Sequence, residues 1–347
     1  MKFKFPKITI YDRYMFKNVT MTSLVAILLF TIVWIAPEIL LNTIKEALAG
    51  EFGMKTAILL LFYELPKILD KAFPVGLLLG TLFTFDKMSK DSEITIFRAV
   101  GMSFPRIIAP VVVLSVIFTF LCFMTGNKGT PYAAAKTRAI RGAVRSAQYI
   151  YTQKDDAGNP LTAVVVSKSY DRKLQNVIVL DFASHAYQDV HQLSNIYSAK
   201  SGYAYDDRWE LYDVSNYKIS SDGIYFKIKH LDKFEVLNGE NAKNAFILMT
   251  YSTMKERDLT NKDLSIYSKL LKKEKLDEEY NYVLNKYLQR FFHPLVCILL
   301  AILGCLLGFS KPREQRLIGF TIAIGFIFVY YITLPFFDAF APHPTDD

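Results

Sequence analysis

"LPKILDKAFPVGLLLGTLFTFDKMSKDSEITIFRAVGMS", residues 65–103, joins two unlike pieces in one run. Its middle carries a charge-free stretch, 72–85. Its end, "KDSEITIFRAVGMS" at 90–103, is far too polar to cross a bilayer, yet another apolar run follows it at once. The pattern predicts a short helix set in the turn between two membrane spans. Asp91 or Ser92 is placed to cap that helix, and Glu93 complements the dipole of its first turn. Ile94, Phe97, Ile96 and Val100 make a broad apolar face, and Gly101 suits the helix end.

Outward from this stretch, the chain reads as a membrane protein. Of its 347 residues 52% are hydrophobic and 14% aromatic, and the apolar ones are gathered into long runs. Charge-free windows of about 20 residues, the length that crosses a bilayer core, fall at 19–37, 107–126, 291–310 and 317–337. The stretch 72–85 is short alone but continues a helical pattern begun at Thr56, with Glu64, Lys67, Asp70 and Lys71 at the interface or against other protein. It makes a fifth span. The apolar run after the basic N-terminus is too long for a cleavable signal and lacks a small-residue cleavage site, so the first span is retained.

Lys2, Lys4, Lys7, Arg13 and Lys17 precede the first span; Lys87, Lys90, Arg98 and Arg106 lie between the second and third; Lys311, Arg313 and Arg316 lie between the fourth and fifth. Under a five-span count these segments share one side, which the positive-inside rule makes cytoplasmic. The net charge of +8 is partly this topology signal, and no basic aromatic surface argues for nucleic acid. Cys122, Cys297 and Cys305 all fall inside apolar spans and read as core packing.

The same count puts the region 127–290 outside the cytoplasm. It opens on a helical pattern at 131–145 and then changes period. "IYFKIKH" sets Ile224, Phe226 and Ile228 on one face and Tyr225, Lys227 and Lys229 on the other, the period of a half-buried strand. Tyr197, Ala199, Ser201, Tyr203 and Tyr205 likewise share a face, and turn residues such as Asp222–Gly223 and Asn238–Gly239 separate strand-length runs. Many short strands with little helix between them point to an antiparallel sandwich or open barrel. Helical spacing returns in 259–290 and leads into the fourth span.

Motifs for chemistry of the chain's own are absent: no GxxxxGK[ST], HExxH, CxxC or GxSxG occurs. His185 and His191 read as surface histidines, and Ser167 beside Lys168 makes no dyad, because neighbours on a strand point to opposite faces. No metal site and no catalytic residue is expected. Any work must draw its energy from a partner, and the helix at 91–101 is an interfacial helix resting on lipid, a turn packed under its own spans, or a coupling helix seated in a soluble motor.

The stretch 65–103 strongly resembles the LptF/LptG family of lipopolysaccharide-export permeases through Pro66, Pro74, Leu79, Gly80, Leu82, Ser92, Glu93, Ile94, Ala99, Gly101 and Ser103. A second block, "YNYVLNKYLQRFFHPLVCILLAILGCLLGFSKPREQR" at 280–316, is similar through Arg290, Pro294, Ala301, Gly304, Leu307, Gly308 and Arg316. The resemblance implies an α-helical membrane protein of the bacterial inner membrane, N-terminus cytoplasmic, with an inserted periplasmic all-β jellyroll-like domain. The expected division is 1–126 for three spans and the coupling helix, 127–258 for the β domain, 259–290 for connecting helices and 291–347 for the last two spans. It also implies the partners: a second LptF/LptG-type permease, an LptB-type ATPase dimer holding ATP and Mg, an LptC-type periplasmic bridge protein, and lipopolysaccharide itself. This chain would bind no cofactor. Asp91, Glu93, Ile94, Phe97, Arg98 and Gly101 would contact the ATPase. Tyr203, Tyr205, Trp209, Ile224, Phe226 and Ile228 would line a lipid path in the β domain, and the first and fifth spans would flank a lipid cavity.

The sequence departs from the family in two places. The family has a sixth span, whereas this sequence stops at "APHPTDD" just after the fifth, so that helix is truncated away, dispensable or supplied by a partner. Relatives carry basic residues in the outer part of the first span; here Glu38 stands there, and Lys45 is the head-group candidate that is left. A relay of ATPase motion to a periplasmic partner, with no lipid carried, is the competing function, and an envelope scaffold that needs no ATPase is the third.

Overall fold

The computed structural model describes residues 9–35, 40–50, 52–141, 149–154, 159–170, 172–184, 191–219, 225–309 and 317–339. These form two compact units, residues 1–137 with 285–347 and residues 138–284. The second takes in more of the following helices, and less of the preceding one, than the division expected from the sequence.

In the first unit α1 spans Ile10–Ile35, α2 Leu41–Leu48, α3 Met54–Lys90, α4 Glu93–Ala99 and α5 Phe104–Met124, which runs through a π-turn into α6, Thr130–Arg141. Four helical stretches are long and apolar enough to cross a membrane: Ile10–Val33, Met54–Lys90, Phe104–Ile140 and Asp277–Gly308. The last joins α9, Asp277–Phe292, to α10, Val296–Gly308, through a 3-10 turn at His293–Leu295. At the place of the expected fifth span lies α11, Leu317–Ala339, whose fully described stretch Gly319–Thr333 is shorter than those four. The stretch that looked shortest in the sequence belongs to the longest helix. At 37 residues α3 is about 55 Å long, well beyond a bilayer core of about 30 Å, so its polar stretch around Glu64–Lys71 extends a span instead of interrupting one.

Glycine sets the packing around α3. Lipid tails are as apolar as leucine, so helices in a bilayer are held by close contact and hydrogen bonds more than by burial. A Cβ at Gly76 or Gly80 would collide with Ile27 or Ser23 of α1, and one at Gly304 or Gly308 of α10 would collide with Thr81 or Phe85 of α3. These are two small-xxx-small pairs, one on α3 facing α1 and one on α10 facing α3. The close approach lets hydroxyls cross between helices: Thr22 donates to the Gly80 carbonyl at 3.0 Å and Ser89 to that of Gly308 at 3.1 Å.

In the second unit, β1 (Tyr149–Lys154), β2 (Pro160–Tyr170), β3 (Lys173–Ser184), β4 (His191–Ala204), β5 (Arg208–Ile219) and β6 (Tyr225–Asn238) form one antiparallel sheet in sequence order. Among the described residues this is a meander, without the crossovers of a jelly roll. Helix α7, Gly239–Ser252, packs against β1, β5 and β6, and α8, Asn261–Lys273, which starts on a Thr260–Asp263 capping box, packs against α7. Trp209 is fully buried beneath α7 and donates its indole N–H to the Ala242 carbonyl at 3.1 Å.

Strict alternation fails along this sheet, and it fails in a line. The ladder skips one position in each strand from β2 to β6, at Ser167, Asn176, Lys200, Asp213 and Asp232. Asn176 and Asp213 take positive φ, 50° and 55°, a conformation that short polar side chains tolerate. Across the line the buried set shifts parity: Ala199 is buried, Ser201 exposed, then Gly202 and Ala204 are buried. The single face expected for Tyr197 through Tyr205 is therefore split. Tyr197 of β4 and Phe234 of β6, with β5 between them, stack at 4.2 Å.

On the opposite side Glu210, only 4% exposed, accepts from Arg208 Nε and Lys233 Nζ, each at 2.8 Å, and from Tyr212 at 2.7 Å. Hydrogen bonds from Lys233, then Arg208 and Tyr212, hold its carboxyl down at about 2. A carboxylate whose folded pKa is depressed stabilises the fold fully above its unfolded value, and that contribution is lost as pH falls through the folded one. Between about pH 5 and about pH 3 the wild type is expected to lose more stability than Glu210→Gln. Urea midpoints followed by Trp209 fluorescence, with Trp34 replaced by Phe, check this; equal losses would reject the ion cluster as the cause.

Candidate functional site

The start of α1, the whole of α4 and the start of α5 form one cluster. Helix α3 ends at Lys90 and α4 begins at Glu93, so the chain reverses within two residues; Ser92 takes φ 62° to do so. In that conformation Ser92 stands at the N-cap but makes no cap hydrogen bond through its side chain. The other end follows expectation. Gly101 at φ 91°, with Met102 N–H bonded to the Phe97 carbonyl and Gly101 N–H to that of Arg98, makes a Schellman ending.

The apolar face of α4 is divided in two. Ile94 is buried in the span core, and the Phe97 ring packs edge-on against Tyr11 of α1 at 4.8 Å. Ile96 and Val100 point away, 59% and 79% exposed. Glu93 is half-buried, with both carboxylate oxygens accepting from the Tyr14 hydroxyl at 2.9 and 3.0 Å. Asp91, Arg98 and Gly101 are exposed. Of the residues expected to meet a motor, Ile94 is buried in the bundle and Phe97, half-buried, packs on Tyr11. Ile96 and Val100, read in the sequence only as part of the helix face, form the outward surface. Arg106 of α5 completes the clamp on α1 through its ion pair with Asp12 at 2.8 Å.

Further along, α1 borders an open cavity of about 470 Å³. Met21, Val25, Leu29, Phe30 and Val33 of α1 line it with Leu79 and Phe83 of α3, and its surface is almost wholly apolar. Helix α11 flanks the same place: Phe320 lies 5.7 Å from Phe83, and Tyr331 stacks on Phe30 at 6.1 Å. A single helix thus touches α4 near its start and lines this cavity over its second half. Lys45 is exposed on the last turn of α2.

The β-domain set does not come together as one slot. Trp209 is core beneath α7, while Tyr203 and Tyr205, in ring contact at 4.6 Å, sit half-exposed on the other face beside Arg208. Ile228 is 69% exposed and ends a row set by the register, Leu180, Ile196, Tyr217 and Ile228, running side by side across β3–β6. Ile224 lies outside the described residues, and for Phe226 only the backbone, in β6, is described. Strand periodicity pointed to Ile228; its neighbours in the row lie on three other strands and could be found only from pairing.

No individually curated protein matches the chain. Residues 13–345 match the sequence model of the family described as lipopolysaccharide export system permease LptF/LptG. With that match over residues 13–345, and with apolar spanning helices and a separate antiparallel sheet, the chain belongs to the LptF/LptG family of lipopolysaccharide export permeases.

Proposed function

We propose that this permease draws lipopolysaccharide from the inner membrane into the cavity between α1 and α3, and that a separate ATPase drives it through α4. A second LptF/LptG-type subunit would close the cavity from the other side, and a periplasmic bridge protein would receive the lipid. Bringing an acyl chain into water costs about 0.8 kcal/mol per CH₂, so a multi-chain lipid needs an apolar surface along its whole route. The observation that carries the reading is the shared use of α1: Tyr11 and Tyr14 hold α4 near one end, and Met21 through Val33 line the cavity further along. Motion of α4 then moves a cavity wall. A relay that carries no lipid has no use for that wall. In the β domain, the row from Leu180 to Ile228 is the apolar surface we assign to lipid contact.

The test is a photo-crosslinking residue at Val25 in the membrane-embedded complex, with and without ATP. Lipopolysaccharide adducts that change with ATP are expected, and adding Ile96→Asp with Val100→Asp should abolish the change without unfolding the bundle, because both side chains are exposed. No adduct in a folded, ATP-hydrolysing complex would overturn lipid carriage. An ATP response that survives the double substitution would overturn coupling through α4.

A further inference from the structure

Three spanning helices bring an unexpected set of side chains together. Asp70 of α3, Cys122 of α5 and His293, in the turn before α10, each offer a ligand atom, and these atoms all lie within 4.8 Å of one another. The Cys122 Sγ is 3.3 Å from an Asp70 carboxylate oxygen. Cys122 is fully buried.

Here we propose a zinc site, formed by the Asp70 carboxylate, the Cys122 thiolate and the His293 imidazole, which pins α3, α5 and α10 together. Zinc takes sulfur at about 2.3 Å and nitrogen or oxygen at about 2.0 Å, so neighbouring ligand atoms in a tetrahedron stand about 3.3–3.8 Å apart. The Asp70–Cys122 separation already has that length. Mixed nitrogen, oxygen and sulfur ligands suit a borderline-soft divalent ion better than magnesium or calcium, which prefer oxygen alone. Charge points the same way. A carboxylate in an apolar span is costly unless paired, and one carboxylate with one thiolate balances a 2+ ion, the Cys122 proton leaving to water as the metal binds.

Two further observations favour a guest at this spot. The Tyr330 hydroxyl is buried without a hydrogen-bond partner, and its ring lies 6.3 Å from that of His293. A Cβ at Gly126 would stand 3.1 Å from the Asp70 carboxylate, so a larger residue would press on the group that must stay free to ligate.

The full chain, purified in nanodiscs, loaded with zinc and passed through a chelating column, is expected to keep about one zinc per chain by mass spectrometry. Cobalt substitution should give the thiolate-to-metal absorption band. Cys122→Ser should lose both signals and Cys305→Ser neither, since Cys305 is equally buried but outside the cluster. Should Cys122→Ser fail to fold, the wild type decides: zinc should protect Cys122 from a membrane-permeant maleimide. A wild type without retained zinc, a Cys122→Ser chain that holds zinc as well as the wild type, or unchanged Cys122 alkylation would each overturn the site.

Discussion

Gly304→Leu is expected to leave almost no correctly packed protein. A Cβ at this position would lie 2.5 Å from the Leu78 carbonyl oxygen and closer still to the Thr81 hydroxyl, both on α3. Neither can give way easily. The first is helix backbone, and the second is held by its own bonds to the Leu77 and Leu78 carbonyls at 2.7 and 3.1 Å. Helices α3 and α10 must therefore separate, which strips contact from Leu78, Leu82, Leu300 and Ala323 in the cluster beside them. Overpacking costs up to about 3 kcal/mol even in a forgiving core, and separating two helices along a glycine seam costs more. Gly304→Ala should lose less. Gly325→Leu is the control, because a Cβ there meets nothing within 4 Å. The measurement is the yield of monodisperse protein after detergent extraction and its melting temperature. Equal yields for Gly304→Leu and Gly325→Leu would show that the seam does not hold the bundle.

Trp209→Ala should have the largest effect in the second unit. The indole is fully buried between β5 and α7, and deleting so large a side chain from a core costs about 3–5 kcal/mol. The loss also frees the Ala242 carbonyl. Trp209→Phe separates the two terms, since it keeps most of the volume but not the N–H, and should cost about 1–2 kcal/mol. Hydrogen exchange of the β5 and α7 amides checks both. Faster exchange confined to these elements is expected, and unchanged rates in Trp209→Ala would return this residue to the lipid path it was first placed in.

Much of the membrane unit could be read from residue order. Hydropathy located the apolar helices because crossing a bilayer is demanded of every stretch of about 20 residues separately, whatever its neighbours are. Gly101 marked the end of α4 for an equally local reason, the positive φ that a helix stop requires. Two sequence blocks, around Glu93 and around Gly304, were enough to indicate the family.

What needed the tertiary structure was everything set by contact between distant residues. The four apolar side chains of α4 look alike in sequence, and only packing buries Ile94 and sets Phe97 against Tyr11 while Ile96 and Val100 stay outside. Period two predicted a single face for β4, but a line of skipped positions across five strands inverted the parity, and register rather than periodicity gave Ile228 its neighbours. Cys122 read as packing because a buried cysteine in an apolar run carries no local sign of its partners. Asp70 and His293 stand 52 and 171 residues from Cys122 along the chain. Hydropathy is a property of one segment and can be summed along it, whereas a ligand set or a helix seam is a property of segments that meet, and residue order alone does not say which ones do.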